Sequence, residues 1–569
     1  MAQGTIENHH SKRSVLLEQE KTSRHDYAFK QSMSPVAKTA AKVLAGIRKK
    51  ELKSIWSPTT TSNGKRDLKD VTFPGMSFTL SRDRVQKTTL WRIVSAMPKG
   101  CLLHAHMEAM IDIDWMIEQA IEVPGYYISS PVPLCPRTGL AGKWSEPFQF
   151  SYRPRLGSGA NAQNGSESEV SIWQAEYTPG RLVPVAAAAK TYPGGVEAFK
   201  EWAVSRMTIN EEEALEHHHG IDDVWDKFRS CFLAIGGLVF TEPIFRRCIP
   251  RLLQQLHDDG IKYVELRLAP NPFYRDGSNE AEPDFMYFLQ CFQEEVNAYM
   301  SSPTGESFWG ARIIWAAIRS FPDDLIKESM IHCLSSKKAY PSVIAGFDFV
   351  GQEDAGRPLV DLLPLCKWFQ QKCADEQLQI PFFFHAGECL GDGNDTDSNL
   401  VDAILLDSRR IGHAFSLYKH PLLIDLVKDK KILIEMCPIS HEVLRLTSNI
   451  LMHPMPALQA RGVAVSLNND DPAVLGHGKN GLSHDFYQVT AAFENTGLAG
   501  LATMAEDSIR WAAFEDETDS AWLQGIDGKG NGLKASRIAE WRTAFDEWCA
   551  WIVQEFGAEF HNSYEMLGV

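Results

Sequence analysis

Two imidazoles two residues apart, His104 and His106, are the first residues in the chain whose spacing points to chemistry. In a strand, side chains two apart point to the same side, so both rings could reach one ion. Two buried histidines hydrogen-bonded to the backbone would show the same spacing, and the pair alone leaves both readings open. Phe384-His385-Ala386-Gly387-Glu388 adds a third imidazole with a carboxylate three residues beyond it, a spacing that separates a ligand from an acid. Arg410-Ile411-Gly412-His413 adds a fourth imidazole. In Asn468-Asn469-Asp470-Asp471-Pro472 two neighbouring carboxylates repel each other unless a cation lies near, although a helix cap or turn before proline would use the same residues. Together these residue types fit one metal site, provided the fold brings them to one place.

The elements that must do so are short β-branched and aromatic runs, each followed by turn residues and a longer helix-period segment. Eight such runs fall at 101–104, 263–267, 311–316, 343–349, 381–385, 410–413, 432–436 and 463–467. Repeated βα units of this number predict an α/β fold, a (β/α)8 TIM barrel whose active site lies at the C-terminal ends of the strands. An open doubly wound sheet is the alternative. All four chemical clusters stand at predicted strand ends.

About 160 residues separate the first two strands, more than one crossover helix needs, so a subdomain is inserted there. The expected organisation is a helical N-terminal arm over 1–97 with disordered first residues, a barrel formed by 98–122 and 220–569, and an inserted subdomain over 123–219. Within the insertion, 148–153 could form a short strand, and 157–169, reading GSGANAQNGSESE, is expected to be a mobile loop. His217-His218-His219 sits on a polar helix end and is expected to face solvent.

Of 569 residues, 44% are hydrophobic and 23% charged, which excludes a disordered or collagen-like chain. The 57 basic and 73 acidic residues leave a net charge of -16, which repels a nucleic-acid backbone. Eleven scattered cysteines read as reduced, buried thiols rather than a disulfide scaffold. Neither a secretory leader nor a run of about 18 apolar residues is visible, so the expectation is a soluble cytoplasmic protein without membrane contact.

HAH, HAGE, RIGHA and SLNNDDP, in that order on a barrel, resemble the adenosine deaminase family of metal-dependent hydrolases. Met97-Pro98-Lys99-Gly100, the run AGFDFVG at 345–351, Cys437-Pro438-Ile439-Ser440 and GLSHDFY at 481–487 resemble its growth-factor-related branch, the adenosine deaminase 2 type. The resemblance implies that His104, His106, His385 and Asp470 hold one zinc ion per chain. It implies that Glu388 is the proton donor, that Asp471 orients the water and bonds the purine N7, and that His413 steadies the developing charge. Gly351 would offer its amide to the purine N3, while Trp225 and Glu108 would stand on the sugar side. The implied reaction is hydrolytic deamination of adenosine or 2'-deoxyadenosine to the inosine product and ammonia. A purine nucleoside is then the small-molecule partner, and the N-terminal arm would pair two copies into a homodimer.

Four positions depart from the branch. Met107, followed by Glu108, stands where an acidic residue is expected; Arg229, after Trp225-Asp226-Lys227-Phe228, replaces a glutamate; Ile318 replaces a histidine; His441 replaces an asparagine. AMP or 5'-methylthioadenosine is therefore an alternative substrate, and a growth-factor-like binding protein on a barrel scaffold an alternative function. The branch is typically secreted and carries a disulfide in its insertion, where this chain has only Cys135.

Overall fold

The structure, a computed structural model, describes residues 2–57, 72–134, 147–155, 171–528 and 532–560. The loop expected at 157–169 and Cys135 lie outside the described residues.

Strand β1 (Gly100–His106) is followed by β2 (Tyr126–Ser129), β3 (Gln149–Tyr152) and β4 (Val183–Pro184), which form a small antiparallel sheet in the order β3-β2-β4. Then come β5 (Ile261–Leu268), β6 (Gly310–Ile318) and β7 (Ile344–Val350), parallel to β1 in the order β1-β5-β6-β7. A second parallel sheet, in the order β11-β10-β9-β8, contains β8 (His385–Ala386), β9 (Arg410–His413), β10 (Leu433–Met436) and β11 (Val465–Leu467).

Parallel bridges between Phe347 and Phe382 and between Ala105 and Asp470 join the two sheets edge to edge. At one seam Phe347 N–H donates to Pro381 O at 2.9 Å and Phe383 N–H to Phe347 O at 3.0 Å. At the other, His106 N–H donates to Asp470 O at 3.0 Å and Asp470 N–H to His104 O at 3.2 Å. The eight strands thus close into the expected barrel rather than an open sheet. Helices such as Met286–Met300, Asp323–Ala339 and Leu359–Asp375 follow β5, β6 and β7 and bury apolar stripes against them.

The run expected as a strand at 381–385 is regular only at its end, in β8. Pro381 has no N–H to give a ladder, and the stretch before His385 pairs through a single bridge. The helical segment expected near 82–97 is two helices, Phe78–Val85 and Thr89–Ser95, because the Thr88 hydroxyl caps the second by accepting Trp91 N–H at 2.9 Å. A helix spans Ala2–Ser23. A helix over Pro35–Ser54 starts at Ser34, whose hydroxyl accepts Ala37 N–H, and its buried stripe of Ala37, Ala40, Val43, Leu44 and Ile47 packs on the helix Leu533–Phe556.

The antiparallel sheet rests on the helix Gly220–Val239 through Gly237, where a Cβ would stand 2.1 Å from Phe150 O. Only glycine permits that approach. Among the described residues no helix is long and apolar enough to cross a membrane, and the ten cysteines are all unpaired and buried.

Candidate active site

The end of β1 carries His104 and His106, β8 begins with His385, and Asp470 follows β11. One donor atom from each of the four lies within 4.8 Å of the others. His104 Nε2 and His106 Nε2 stand 3.2 and 3.3 Å from the same oxygen, Asp470 Oδ1. Both His104 Nε2 and Asp470 Oδ1 are buried without any hydrogen-bond partner, which is costly unless something else satisfies them. Burial pushes His106 down and His385 down to about 3, so both present the neutral ring that a metal needs. This donor set fits a divalent cation with imidazole and carboxylate ligands. His104, His413, Cys437 and Asp470 also lie close enough to share an ion, but burial drives the Cys437 thiol well above its usual range, away from the thiolate that would bind. Asp470 (φ +58°) and His413 (φ +62°) both adopt left-handed backbone, a strain that side chains rarely accept outside functional sites.

The far sides of the ligand rings are held from inside the barrel. His104 Nδ1 lies 2.8 Å from Glu435 Oε2, and His385 Nδ1 lies 2.7 Å from Asp348 Oδ2. Arg267 donates to both carboxylates, at 2.6 Å to Glu435 and 2.7 Å to Asp348, while Arg410 bridges Glu435 and Glu265. All five charged residues are fully buried. Burial alone would raise Asp348 and Glu435, but His385 and Arg267 hold the first, and Arg267 and Arg410 the second, well below the usual carboxylate range. His104 and His385 therefore donate Nδ1–H inward and turn their Nε2 lone pairs to the site. None of these five was singled out from the sequence. The available signal was a lone charge inside an apolar strand, as in Leu433-Ile434-Glu435-Met436.

Glu388, Asp471, Gly351, Trp225 and Glu108 line one cavity of about 640 Å³ with His106, His385, His413 and Asp470. Its size is that of a small-molecule site. Burial, then the charges of Asp470 and Glu353, raises Glu388 well above the usual range. Burial and the neighbouring Asp470 do the same to Asp471. Glu353 also shapes the HAGE turn, accepting Glu388 N–H at 2.8 Å and Gly387 N–H at 3.2 Å. His413 Nε2 stands 3.8 Å from Asp470 Oδ2. Gly351 has φ +98° at the end of β7, which leaves its amide free of a strained side chain. Burial raises Glu108 to about 7.

At the four departures, Met107 is buried away from the cavity and Glu108 lines it instead. Arg229 lies at the cavity wall, half-exposed, ion-paired with Asp226 and donating to Gln352 Oε1 at 2.8 Å. Ile318 is also in the wall. His441 is buried directly behind His413. The inserted strand β3 borders the cavity through Gln149 to Tyr152, a contact that no sequence pattern announced. The triple His217-His218-His219 is away from the cavity, with His219 near Glu216 and Asp223 at the protein surface.

A closed eight-stranded barrel whose C-terminal rim gathers three imidazoles and an aspartate beside a protonatable glutamate has the architecture of a metal-dependent barrel hydrolase. The sequence pattern of the adenosine deaminase family matches residues 205–529. Adenosine deaminase 2 of Sus scrofa is 32% identical over 448 residues, 78% of this chain and 80% of that protein. Adenosine deaminase 2-A of Danio rerio is 31% identical over 450 residues, 78% of this chain and 81% of that protein. The chain belongs to the adenosine deaminase family. A solved adenine deaminase from Arthrobacter aurescens is similar at 17% identity with a TM-score of 0.45, covering 78% of this chain and 99% of that one.

Proposed function

We propose that this protein hydrolyses the C6 amino group of adenosine or 2'-deoxyadenosine, giving inosine or 2'-deoxyinosine and ammonia. The observation that carries the reading is the convergence of the His104, His106, His385 and Asp470 donor atoms on one point in the cavity that also holds Glu388. Zinc held by those four side chains supplies the Lewis acidity that makes water a nucleophile near neutral pH.

The chain's own groups do the rest. Attack at C6 breaks the aromaticity of the ring, and Glu388, kept protonated by burial and by its charged neighbours, delivers a proton to N1 as the new C–O bond forms. Asp471, also kept protonated, donates to the purine N7, which can only accept. The Gly351 amide faces N3, Asp471 orients the water through its second oxygen, and His413 steadies the charge that develops as the water attacks C6. The attacking water gives up both protons as its oxygen becomes the C6 carbonyl: one restores Glu388, and the other goes to the amino group, which leaves as ammonia when the C6–N bond breaks. Trp225 covers the sugar, and Glu108 accepts its hydroxyl protons in place of the acidic residue expected at Met107.

Arg229 bears on the choice between nucleoside and nucleotide. Asp226 already neutralises it, so a 5'-phosphate would have to compete with a carboxylate for that guanidinium. This favours the nucleoside. The test is loss of adenosine's ultraviolet absorbance in a panel of adenosine, 2'-deoxyadenosine, AMP, 5'-methylthioadenosine and adenine, with metal analysis on the same sample. Turnover fastest on the two nucleosides, with one zinc per chain, is the expected result; a preference for AMP would overturn the substrate, and inertness of the zinc-loaded protein to the whole panel would overturn the activity.

We propose also that 123–219 forms an inserted subdomain roofing the cavity on a barrel of 98–122 and 220–569. The arm over 1–97 would join two copies, since the helix Ala2–Ser23 exposes Ile6, Val15, Leu16 and Leu17. Light scattering of a chain lacking residues 2–23 should then show half the mass of the full chain, and an unchanged mass would remove the arm from that role.

A further inference from the structure

Behind His413, two more histidines run in single file into the core. His413 Nδ1 lies 3.0 Å from His441 Nε2, and His441 Nδ1 lies 2.8 Å from His453 Nε2. The file ends on the main chain, where His453 Nδ1 accepts the backbone N–H of Met455 at 3.1 Å. All three rings are buried, and Phe415 packs its ring against both His441 and His453, closing the file off from water.

A neutral imidazole has one proton, so when one ring nitrogen accepts, the other must donate. All three rings are buried with no carboxylate among the described residues within hydrogen-bond distance, Glu388 and Asp470 standing 3.7 and 3.8 Å from His413, and an imidazole so placed is neutral. A backbone amide can only donate. His453 Nδ1 is therefore bare and its proton sits on Nε2, which points at His441 Nδ1. That nitrogen accepts, so the His441 proton sits on Nε2 and points at His413 Nδ1. His413 accepts in turn, and its single proton is left on Nε2, the atom that faces Asp470 Oδ2 across the site at 3.8 Å.

We infer that His441 and His453 are positioning residues that lock His413 in its Nε2–H tautomer, anchored by the Met455 amide, so that His413 presents a proton rather than a lone pair to the reacting water. The inference rests on the deaminase reading for its catalytic consequence but not for the tautomer. It also excludes His413 from the ligand set, because a protonated Nε2 cannot coordinate an ion, and leaves His104, His106, His385 and Asp470 as the quartet. A misdirected donor at such a position lowers kcat by about 10²- to 10³-fold.

Two substitutions of nearly equal shape separate the possibilities. His441→Gln offers an amide N–H where His441 Nε2 stood and a carbonyl behind it, so it retains kcat within about tenfold. His441→Met matches glutamine in length but has no N–H to give His413 Nδ1, so it releases the lock on the His413 tautomer and lowers kcat about 10²- to 10³-fold with KM changed far less. Zinc content stays at the wild-type level in both. Equal kcat for the two variants would overturn the inference. Neutron diffraction of the unsubstituted zinc-loaded protein reads the tautomers directly and needs no activity: deuterium is expected on Nε2 of His413, His441 and His453. Deuterium on Nδ1 of His413 would refute the relay. The expected deuterium pattern in a protein inert on the substrate panel would instead refute the deaminase reading and leave the tautomer lock standing.

Discussion

Asp348→Asn changes one oxygen to an NH2 group deep in the barrel, and the structure fixes what that costs. Asp348 Oδ1 accepts Phe349 N–H at 2.7 Å and His385 N–H at 2.9 Å, while Oδ2 accepts Arg267 Nε–H at 2.7 Å and the His385 Nδ1–H at 2.7 Å. Each oxygen serves two donors, so either orientation of an asparagine sets an NH2 against two N–H groups. Loss of two bonds at about 1.5–3 kcal/mol each, in a site without water to replace them, gives a destabilisation of roughly 3–6 kcal/mol. Metal affinity falls as well. With the NH2 on the Oδ2 side, His385 can relieve the clash only by moving its proton to Nε2, where no lone pair then remains for an ion, and a lost ring partner of this kind costs about 10- to 100-fold in affinity. Competition with a chelating dye measures the affinity, and urea unfolding monitored by tryptophan fluorescence measures the stability. A variant with wild-type zinc affinity would show that Asp348 does not orient His385, and the account of the buried charges beneath the quartet would fail with it.

Glu388→Gln should lower kcat by about 10²- to 10⁴-fold with zinc content unchanged, and full activity would remove Glu388 as proton donor. Gly237→Ala forces a Cβ to within 2.1 Å of Phe150 O; the sheet carrying β3 must shift, with a cost of about 1–3 kcal/mol and a higher KM, seen by thermal melting and steady-state kinetics. Glu442, buried and accepting Phe78 N–H, is raised from 4.5 to about 8, with burial as the cause. The fold thus prefers its protonated form, so the stability present below pH 4.5 is progressively lost as pH rises towards 8. Glu442→Gln copies the protonated form and should flatten that decline, melting like the parent at pH 4.5 and above it at pH 9; equal melting at both would contradict the burial argument.

The barrel was legible because parallel strands buried on both faces read as near-continuous apolar runs, and β7, every residue buried and only Asp348 charged, is such a run. The quartet was legible because His104 and His385 end those runs and His106 and Asp470 follow two and three residues after such an end. What stayed hidden depends on contacts across the barrel. Arg267 and Glu435 sit on strands 168 positions apart, and nothing local to either predicts that they meet. Gly237 was one of two adjacent glycines in a helix, a pattern that signals close approach without saying to what. His453 lies 12 residues from His441, a spacing with no helix or strand period, and only the fold sets their rings 5.1 Å apart. Glu353, which holds the HAGE turn, lies in a polar turn after β7 with no neighbour in sequence to mark it.

The buried charges below the site also bear on which ion it holds. Glu265, Asp348 and Glu435 face Arg267 and Arg410, so three carboxylates meet two guanidiniums and one negative charge is left over beneath the ligand rings. Asp470, which accepts the Ser440 hydroxyl at 2.7 Å and faces the ligand imidazoles, adds a second when ionised as a ligand. Glu388 and Asp471 add none, since burial and the Asp470 charge keep both protonated. The Arg319 guanidinium faces Glu353 at 3.7 Å, so that pair cancels. Two uncompensated negative charges in a region this dry are expensive unless a matching positive charge sits among them. A dication restores neutrality where a monovalent ion would leave one charge exposed to the low dielectric. A preference for a divalent metal would therefore lie in the charges of the barrel interior as much as in the four groups that would touch it.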